Sequence, residues 1–350
     1  MNCQEKLESL SSLLEQSISE QYFSGAVVGV FQEGACCSRA WGTTAMQGEQ
    51  LLTSHLFDLA SLSKLFTTAA ILRLIDSGVI SDQTRLLDVF LLCDPVITTH
   101  LNKVSVADLL THASGLQAWY PFYTRRSDSF EVILHDLLFS TPLQQGVVYS
   151  DINFMLLGML VSKVTGLPLD EAMATLVFNP LKMKNATYHP QPAQCVATEF
   201  GNRIEKRMVA ELGLQFSDWR CEHVPLRGQC NDGNGFYYFG GVAGHAGIFA
   251  DVSDVLALGR AFMPSSNSFF SSVVLERTLH DWGGGRGYGV QFGDLYPDNG
   301  FGHTGFTGTY LYVNPLRDMV VVLLTNRLHT PNVRSINHIR IEVVKRLLVR

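Results

Sequence analysis

Ser61 and Lys64 stand three residues apart in FDLASLSKLFTTAAILRLI (residues 57–75), a spacing that puts both side chains on one face of a helix. A serine hydroxyl is a poor nucleophile until a neighbouring base takes its proton. A lysine can be that base if burial or nearby positive charge lowers its pKa toward neutrality. Leu65, Phe66, Ala69, Leu72 and Ile75 recur at helical spacing, which predicts a buried helix. A lysine among such neighbours is costly unless something uses it. At the helix N-terminus, free N–H groups favour a developing anion, so the Ser61 N–H is a candidate half of an oxyanion hole. The plainer alternative is a capping serine followed by a lysine that reaches out to solvent.

Two further segments carry residues of the right types. In VVYSDINFMLLGML (147–160), Tyr149 and Asp151 precede an apolar helix. Asp151 is a natural N-cap. Tyr149, at a loop–helix junction, is either a proton shuttle beside an ammonium or a core tyrosine with a wet edge. In GFGHTGFTGTYLYVN (300–314), glycine turns precede a strand, marking a place where a backbone or ligand comes close. If His303 begins an edge strand beside the Ser61 helix, residues Thr304 to Phe306 are placed to bond a substrate peptide unit. Phe306 N–H would then be the second oxyanion donor. The alternative is a simple turn. His245, between glycines, is a lesser candidate for the cleft, and His112 is expected to bond backbone carbonyls beneath the loop at Ser114 and Gly115. Trp119 and Tyr120 form a substrate wall or pack under a loop. Cys221, His223 and Cys230 lack a fourth zinc ligand at standard spacing, so incidental thiols in a loop are favoured and no metal or other cofactor is expected.

These residues must be positioned by elements from both ends of the chain. The 350 residues, 46% hydrophobic, suffice for a large core. Residues 25–34 and 36–45 read as two strands joined by a glycine turn. Residues 66 to 240 are mostly helical in pattern: Ser105 caps a helix running to Gly115, and Asp151–Thr165 is closed by Gly166. From Gly240 the chain turns glycine-rich and strand-like, with TYLYVN and MVVVLLTN forming a hairpin around Pro315–Asp318. A helix closes the chain. The expected fold is α+β: one antiparallel sheet flanked by N- and C-terminal helices, plus a mostly helical lobe. Residues 1–350 read as a single catalytic domain, with 1–60 and 240–350 forming the sheet lobe and 61–239 the helical lobe.

The formal net charge of −6, without a Lys/Arg cluster, argues against nucleic-acid partners. No run approaches the ~18 apolar residues that span a bilayer, so no membrane insertion is expected. The N-terminus lacks the pattern of a signal peptide. The seven cysteines are therefore expected to be reduced thiols in a cytoplasmic protein. The expected partner is a small-molecule or peptide substrate, and the oligomeric state is open.

Taken in order, the three segments resemble serine β-lactamases of class C and their penicillin-binding and esterase relatives. Those proteins carry Ser-x-x-Lys at a helix start, Tyr-x-Asn in the helical lobe and Lys-Thr-Gly on an edge strand. Here the pieces are Ser61 with Lys64, Tyr149 with Asp151, and His303-Thr304-Gly305. LLTHASGL (109–116), GGVAGHAGIF (240–249) and VVVLLTNR (320–327) add to a similarity spanning roughly residues 20 to 330. The resemblance implies a β-lactamase/transpeptidase-like fold and a serine hydrolase that works through an acyl-enzyme. Ser61 is then the nucleophile, Lys64 and Tyr149 move its proton, and the N–H groups of Ser61 and Phe306 hold the oxyanion. Asp151, His303, Thr304 and Gly305 face substrate.

Two departures bear on substrate. The third-segment lysine helps hold an antibiotic's carboxylate, and a largely neutral His303 makes a weak clamp. Asp151 in place of asparagine has no amide N–H to offer when ionised, but it can pair with Lys64, raising the lysine's pKa. Both point away from an efficient β-lactamase and toward an esterase, amidase or peptidase, including those that trim cell-wall fragments. The alternatives are a penicillin-recognising D-Ala-D-Ala peptidase or β-lactamase and, from another class, a non-catalytic binding or scaffold protein.

Overall fold

The computed structural model describes residues 3–90, 94–141, 143–264 and 269–348. After helices α1 (Cys3–Glu8) and α2 (Ser11–Ser19) come strands β1 (Gly25–Gln32), β2 (Ala35–Gly42) and the short β3 (Phe57–Asp58). Helix α3 (Ser63–Asp76) opens the middle of the chain, followed by α4 (Leu86–Phe90), α5 (Pro95–Leu101), α6 (Val106–Leu110) and α7 (Phe130–Ser140). Then come α8 (Asp151–Thr165), α9 (Leu169–Met173), α10 (Arg203–Glu211) and β4 (Phe249–Ala250). The chain ends with α11 (Val252–Ala261), α12 (Ser272–Thr278), β5 (Phe301–Thr304), β6 (Tyr310–Asn314), β7 (Met319–Thr325) and α13 (Asn337–Leu348).

Both chain ends build one antiparallel sheet in the order β2-β1-β7-β6-β5. In β1 and β7, Val27, Leu324 and Val322 face one core, and Val28, Val321 and Leu323 face another with α1 and α13. These strands are buried on both sides and read as near-continuous apolar runs, because helices cover each face. Helix α11 lies on the opposite face from α13, where a β-carbon on Gly259 would lie 2.4 Å from Val320 Cγ1. Helix α3 is buried along almost its whole length, which is why its pattern is apolar on every side.

Three expectations need correction. Helix α6 has its Ser105 capping box but ends at Leu110, not Gly115; His112 adopts φ +59° and its carbonyl accepts Val148 N–H instead. The glycine-rich tail is strand-like over a shorter span than its composition implies: α11 and α12 lie inside it, and among the described residues of 240–300 only Phe249–Ala250 form a strand. The cysteines are not all reduced, since Cys3 is bonded to Cys37, tying α1 to β2. Cys93 lies outside the described residues. Among the described residues, no single helix is long and apolar enough to cross a membrane.

Candidate active site

Strand β3 ends at Asp58, and a 3₁₀ turn (Ala60–Leu62) leads into α3. Ala60 has φ +47°, a left-handed conformation that its β-carbon makes costly. The Asp58 carboxylate braces it, accepting Ala60 N–H at 2.8 Å and Asn231 N–H at 2.6 Å. Burial pushes the Asp58 carboxyl up to about 6 despite those bonds. The turn presents Ser61 half-buried at the head of α3.

Lys64 is fully buried one turn later. Its ammonium donates to Ser61 Oγ at 2.8 Å and to the His245 carbonyl at 3.2 Å, and it pairs with Asp151 Oδ1 at 2.7 Å. Two hydrogen bonds and one close ion pair thus surround the ammonium. Burial acts to lower its pKa, but the Asp151 carboxylate and then the Tyr149 phenol outweigh it and hold the amine above the ordinary lysine range. This is the reverse of the lowering that a lysine base requires. Nor is Asp151 an N-cap: Ser150 holds that position in α8, and the aspartate is turned to Lys64.

Tyr149 lies between two cations. Its ring centroid is 5.1 Å from Lys64 Nζ and 5.2 Å from Arg286 Cζ, with the His112 ring at 4.6 Å and the His303 ring at 6.0 Å. His112 does not bond carbonyls under Ser114 and Gly115; its Nδ1 accepts Ser150 N–H at 3.0 Å. Burial, then Arg286 and Lys64, hold His112 well below its usual pKa. The neutral ring thereby fixes the backbone just after Tyr149.

His303 lies in β5, at the edge of the sheet. Nδ1 sits 2.7 Å from the Thr304 carbonyl and Nε2 3.3 Å from Gln291 Nε2, an arrangement met by a neutral ring protonated at Nδ1. Burial, Lys64 and Arg286 push its pKa well below the ordinary value. The turn after β5 abuts the nucleophile segment directly. Thr307 Oγ1 donates to the Asp58 carbonyl at 2.7 Å and Thr309 Oγ1 to the Leu59 carbonyl at 2.9 Å. Gly305 allows this approach, because a β-carbon there would lie 2.0 Å from Thr309 Oγ1 and 2.3 Å from the Leu59 oxygen. Phe306 follows, 46% exposed.

Arg286 and Asp232, the partner of His245, carry no signal in the local sequence. Arg286, from WGGGRG (282–287), reaches the Tyr149 ring, and its Nη1 is buried with no hydrogen-bond partner among the described residues. An isolated arginine among glycines carries no local signal of this. His245 is buried rather than cleft-lining, and pairs through Nε2 with Asp232 Oδ1 at 2.8 Å. Cys230 is buried while Cys221 is exposed, and among the described residues no group of three or more His, Cys, Asp or Glu side chains could hold a metal. Tyr120 packs against the core with Phe122, and its carbonyl accepts from Asn234.

Comparison with known proteins gives a consistent picture. A family model described as Beta-lactamase matches residues 10–345. An N-acetylmuramyl-L-alanine amidase of Bacillus subtilis is 31% identical over 93% of this chain and 82% of its own length. A putative D-alanyl-D-alanine carboxypeptidase of Escherichia coli is 26% identical over 93% of this chain and 83% of its own. Among solved structures, a class C β-lactamase from Rhodobacter sphaeroides superposes with TM-score 0.72 at 19% identity, covering 97% of each chain.

Proposed function

The chain belongs to the β-lactamase family of serine hydrolases, and from that premise we propose that it cleaves an amide bond in a cell-wall-derived peptide through a Ser61 acyl-enzyme. The observation that carries this reading is the continuous chain Ser61 Oγ–Lys64 Nζ–Asp151 Oδ1, at 2.8 and 2.7 Å, beside Tyr149.

An ammonium that donates to Ser61 Oγ offers that oxygen positive charge and no lone pair. Lys64 therefore stabilises the developing negative charge on Oγ, and Ser61's proton goes elsewhere. Tyr149 is the carrier in a concerted relay: its phenol oxygen takes the Ser61 proton as Oγ attacks the carbonyl carbon, while its own O–H proton passes to the departing nitrogen. The N–H groups of Ser61 and Phe306 hold the oxyanion of the tetrahedral intermediate. A water then attacks the ester carbonyl, its proton returns to Ser61 along the same route, and the acid product leaves.

Substrate class follows from charge. The position where β-lactamases have a lysine holds a neutral histidine, and a cation beside Tyr149 is Arg286, whose Nη1 has no hydrogen-bond partner among the described residues. A guanidinium of this kind suits a peptide carboxylate, which it can meet with two parallel hydrogen bonds. The names of the amidase and carboxypeptidase relatives agree with such a substrate. Muropeptides, D-alanyl peptides, p-nitrophenyl esters and nitrocefin assayed side by side test it: peptide amides should be turned over and nitrocefin barely. An acyl adduct should appear on Ser61 by mass spectrometry and vanish in Ser61→Ala. A fluorophosphonate probe that still labels that variant would remove the nucleophile, and fast nitrocefin turnover would remove the substrate class.

A further inference from the structure

We propose that Asn231 and Asp232 form a clamp that holds both ends of the Ser61–Lys64 turn, with Asp232 acting through His245 as a positioning residue for the Lys64 ammonium. The inference rests on Ser61 and Lys64 being the reacting pair, and it adds residues that touch neither substrate nor nucleophile.

One end of the turn is Ala60. Its left-handed backbone is braced by Asp58, and the second oxygen of that carboxylate is taken by Asn231 N–H at 2.6 Å. The other end is Lys64 Nζ, which needs an acceptor at a fixed place if its direction toward Ser61 Oγ is to be fixed. Beside the Asp151 carboxylate, that acceptor is the His245 carbonyl. The run from Ala243 to Ile248 has no helical or strand ladder before Phe249, so something else must hold its carbonyls in place. Part of the answer is α3 itself: Thr67 Oγ1 donates to the Gly244 carbonyl at 2.7 Å, and Ser63 Oγ accepts Ile248 N–H at 3.2 Å.

Tyr188 Oη donates to the Ala243 carbonyl at 3.2 Å and Leu59 N–H to the Ile248 carbonyl at 3.0 Å; at the residue that faces Lys64 the hold is the His245 side chain, 1% exposed, whose Nε2 is 2.8 Å from Asp232 Oδ1. The same oxygen accepts Gly235 N–H at 2.7 Å, which fixes the carboxylate in turn. The run also packs closely on its surroundings. A β-carbon on Gly244 would lie 2.2 Å from the Phe154 oxygen, and one on Gly247 2.3 Å from the Gly241 oxygen. Two consecutive residues thus brace the backbone before Ser61 and the carbonyl above Lys64 at once. Displacing reacting groups by ~1 Å can cost ~10²-fold in rate, which sets the scale of what such a clamp protects.

The test is the rate constant for labelling Ser61 with a fluorophosphonate, per folded molecule, together with kcat and KM. Asp232→Ala should slow labelling and lower kcat by ~10–10²-fold with KM nearly unchanged, since no substrate contact is lost. Asp232→Asn keeps an acceptor for His245 and should recover most of the rate. If Asp232→Ala does not fold, His245→Ala should show the same loss and His245→Asn, which can still donate to Asp232, a partial rescue. Tyr312→Phe is the control: it removes a hydrogen bond to the Pro297 carbonyl in the core on the other side of the sheet, away from the clamp, and should label at the parent rate. Folded Asp232→Ala or His245→Ala enzyme that labels at the parent rate would overturn the clamp. So would a Tyr312→Phe variant slowed as much as either. Failure of the nucleophile reading would show separately, as labelling that survives Ser61→Ala in the otherwise unaltered chain.

Discussion

Asp151→Asn tests the electrostatics of the site most directly. Lys64 is fully buried and Asp151 lies 2.7 Å from its ammonium. Removing one partner of a buried ion pair typically costs ~3–5 kcal/mol, because the other charge is stranded. An independent ceiling comes from proton linkage. A lysine titrates at about 10.4 when unfolded, and each pH unit is worth about 1.4 kcal/mol. If the variant simply releases the lysine proton on folding, the cost at pH 7 is about 5 kcal/mol, falling to about 2 kcal/mol at pH 9. In the parent protein the sign is opposite. The folded pKa is raised, so the pair's stabilisation is fully present below about pH 10.4 and is lost only as pH rises through the folded value. Denaturant unfolding of both proteins at pH 7, 8 and 9 should therefore show a deficit of ~3–5 kcal/mol that shrinks as pH rises. A deficit under about 1 kcal/mol at every pH would refute the claim that Asp151 holds charge on Lys64.

Three further outcomes are expected. Arg286→Gln should raise KM ~10–100-fold for substrates ending in a carboxylate, since a charge-assisted hydrogen bond is worth ~1.5–3 kcal/mol, and should leave neutral p-nitrophenyl esters within about twofold; equal effects on both classes would argue against a carboxylate contact. Gly305→Ala should depress both Tm and Ser61 labelling, because its β-carbon would meet Thr309 Oγ1 and the Leu59 oxygen at 2.0 and 2.3 Å; a neutral outcome in thermal unfolding and labelling would show that the β5–β6 turn does not bear on the nucleophile. Glu205 is pushed up to about 8, mainly by burial and then by Asp232, so the folded state keeps a proton that the unfolded chain has already lost above about pH 4.3. Stability should then fall as pH rises from there to about 8, and Glu205→Gln should flatten that fall in unfolding measured across the range.

The candidate reacting residues and the elements that present them are legible in the chain's local pattern. Ser61 and Lys64 share a helical face by spacing alone, the apolar period predicts α3, and Gly166 marks the end of α8 where the structure has it, at φ +70°. Such signals lie within one or two turns of chain, where periodicity and capping are encoded. The strands at 25–32 and 310–325 were legible for the same reason.

The partners of the lysine and the approach of Arg286 to the Tyr149 ring come from contacts between distant segments. Local composition left two roles open for Asp151, an N-cap or a partner that raises the lysine's pKa. Folding set that carboxylate against the ammonium, and at 2.7 Å in a buried setting the attraction outweighs the desolvation. Arg286, His112 and the Asp232–His245 pair are in the same position. Each acts through contacts with residues distant in sequence, and the energy of a buried polar group depends on which partners reach it, not on its sequence neighbours.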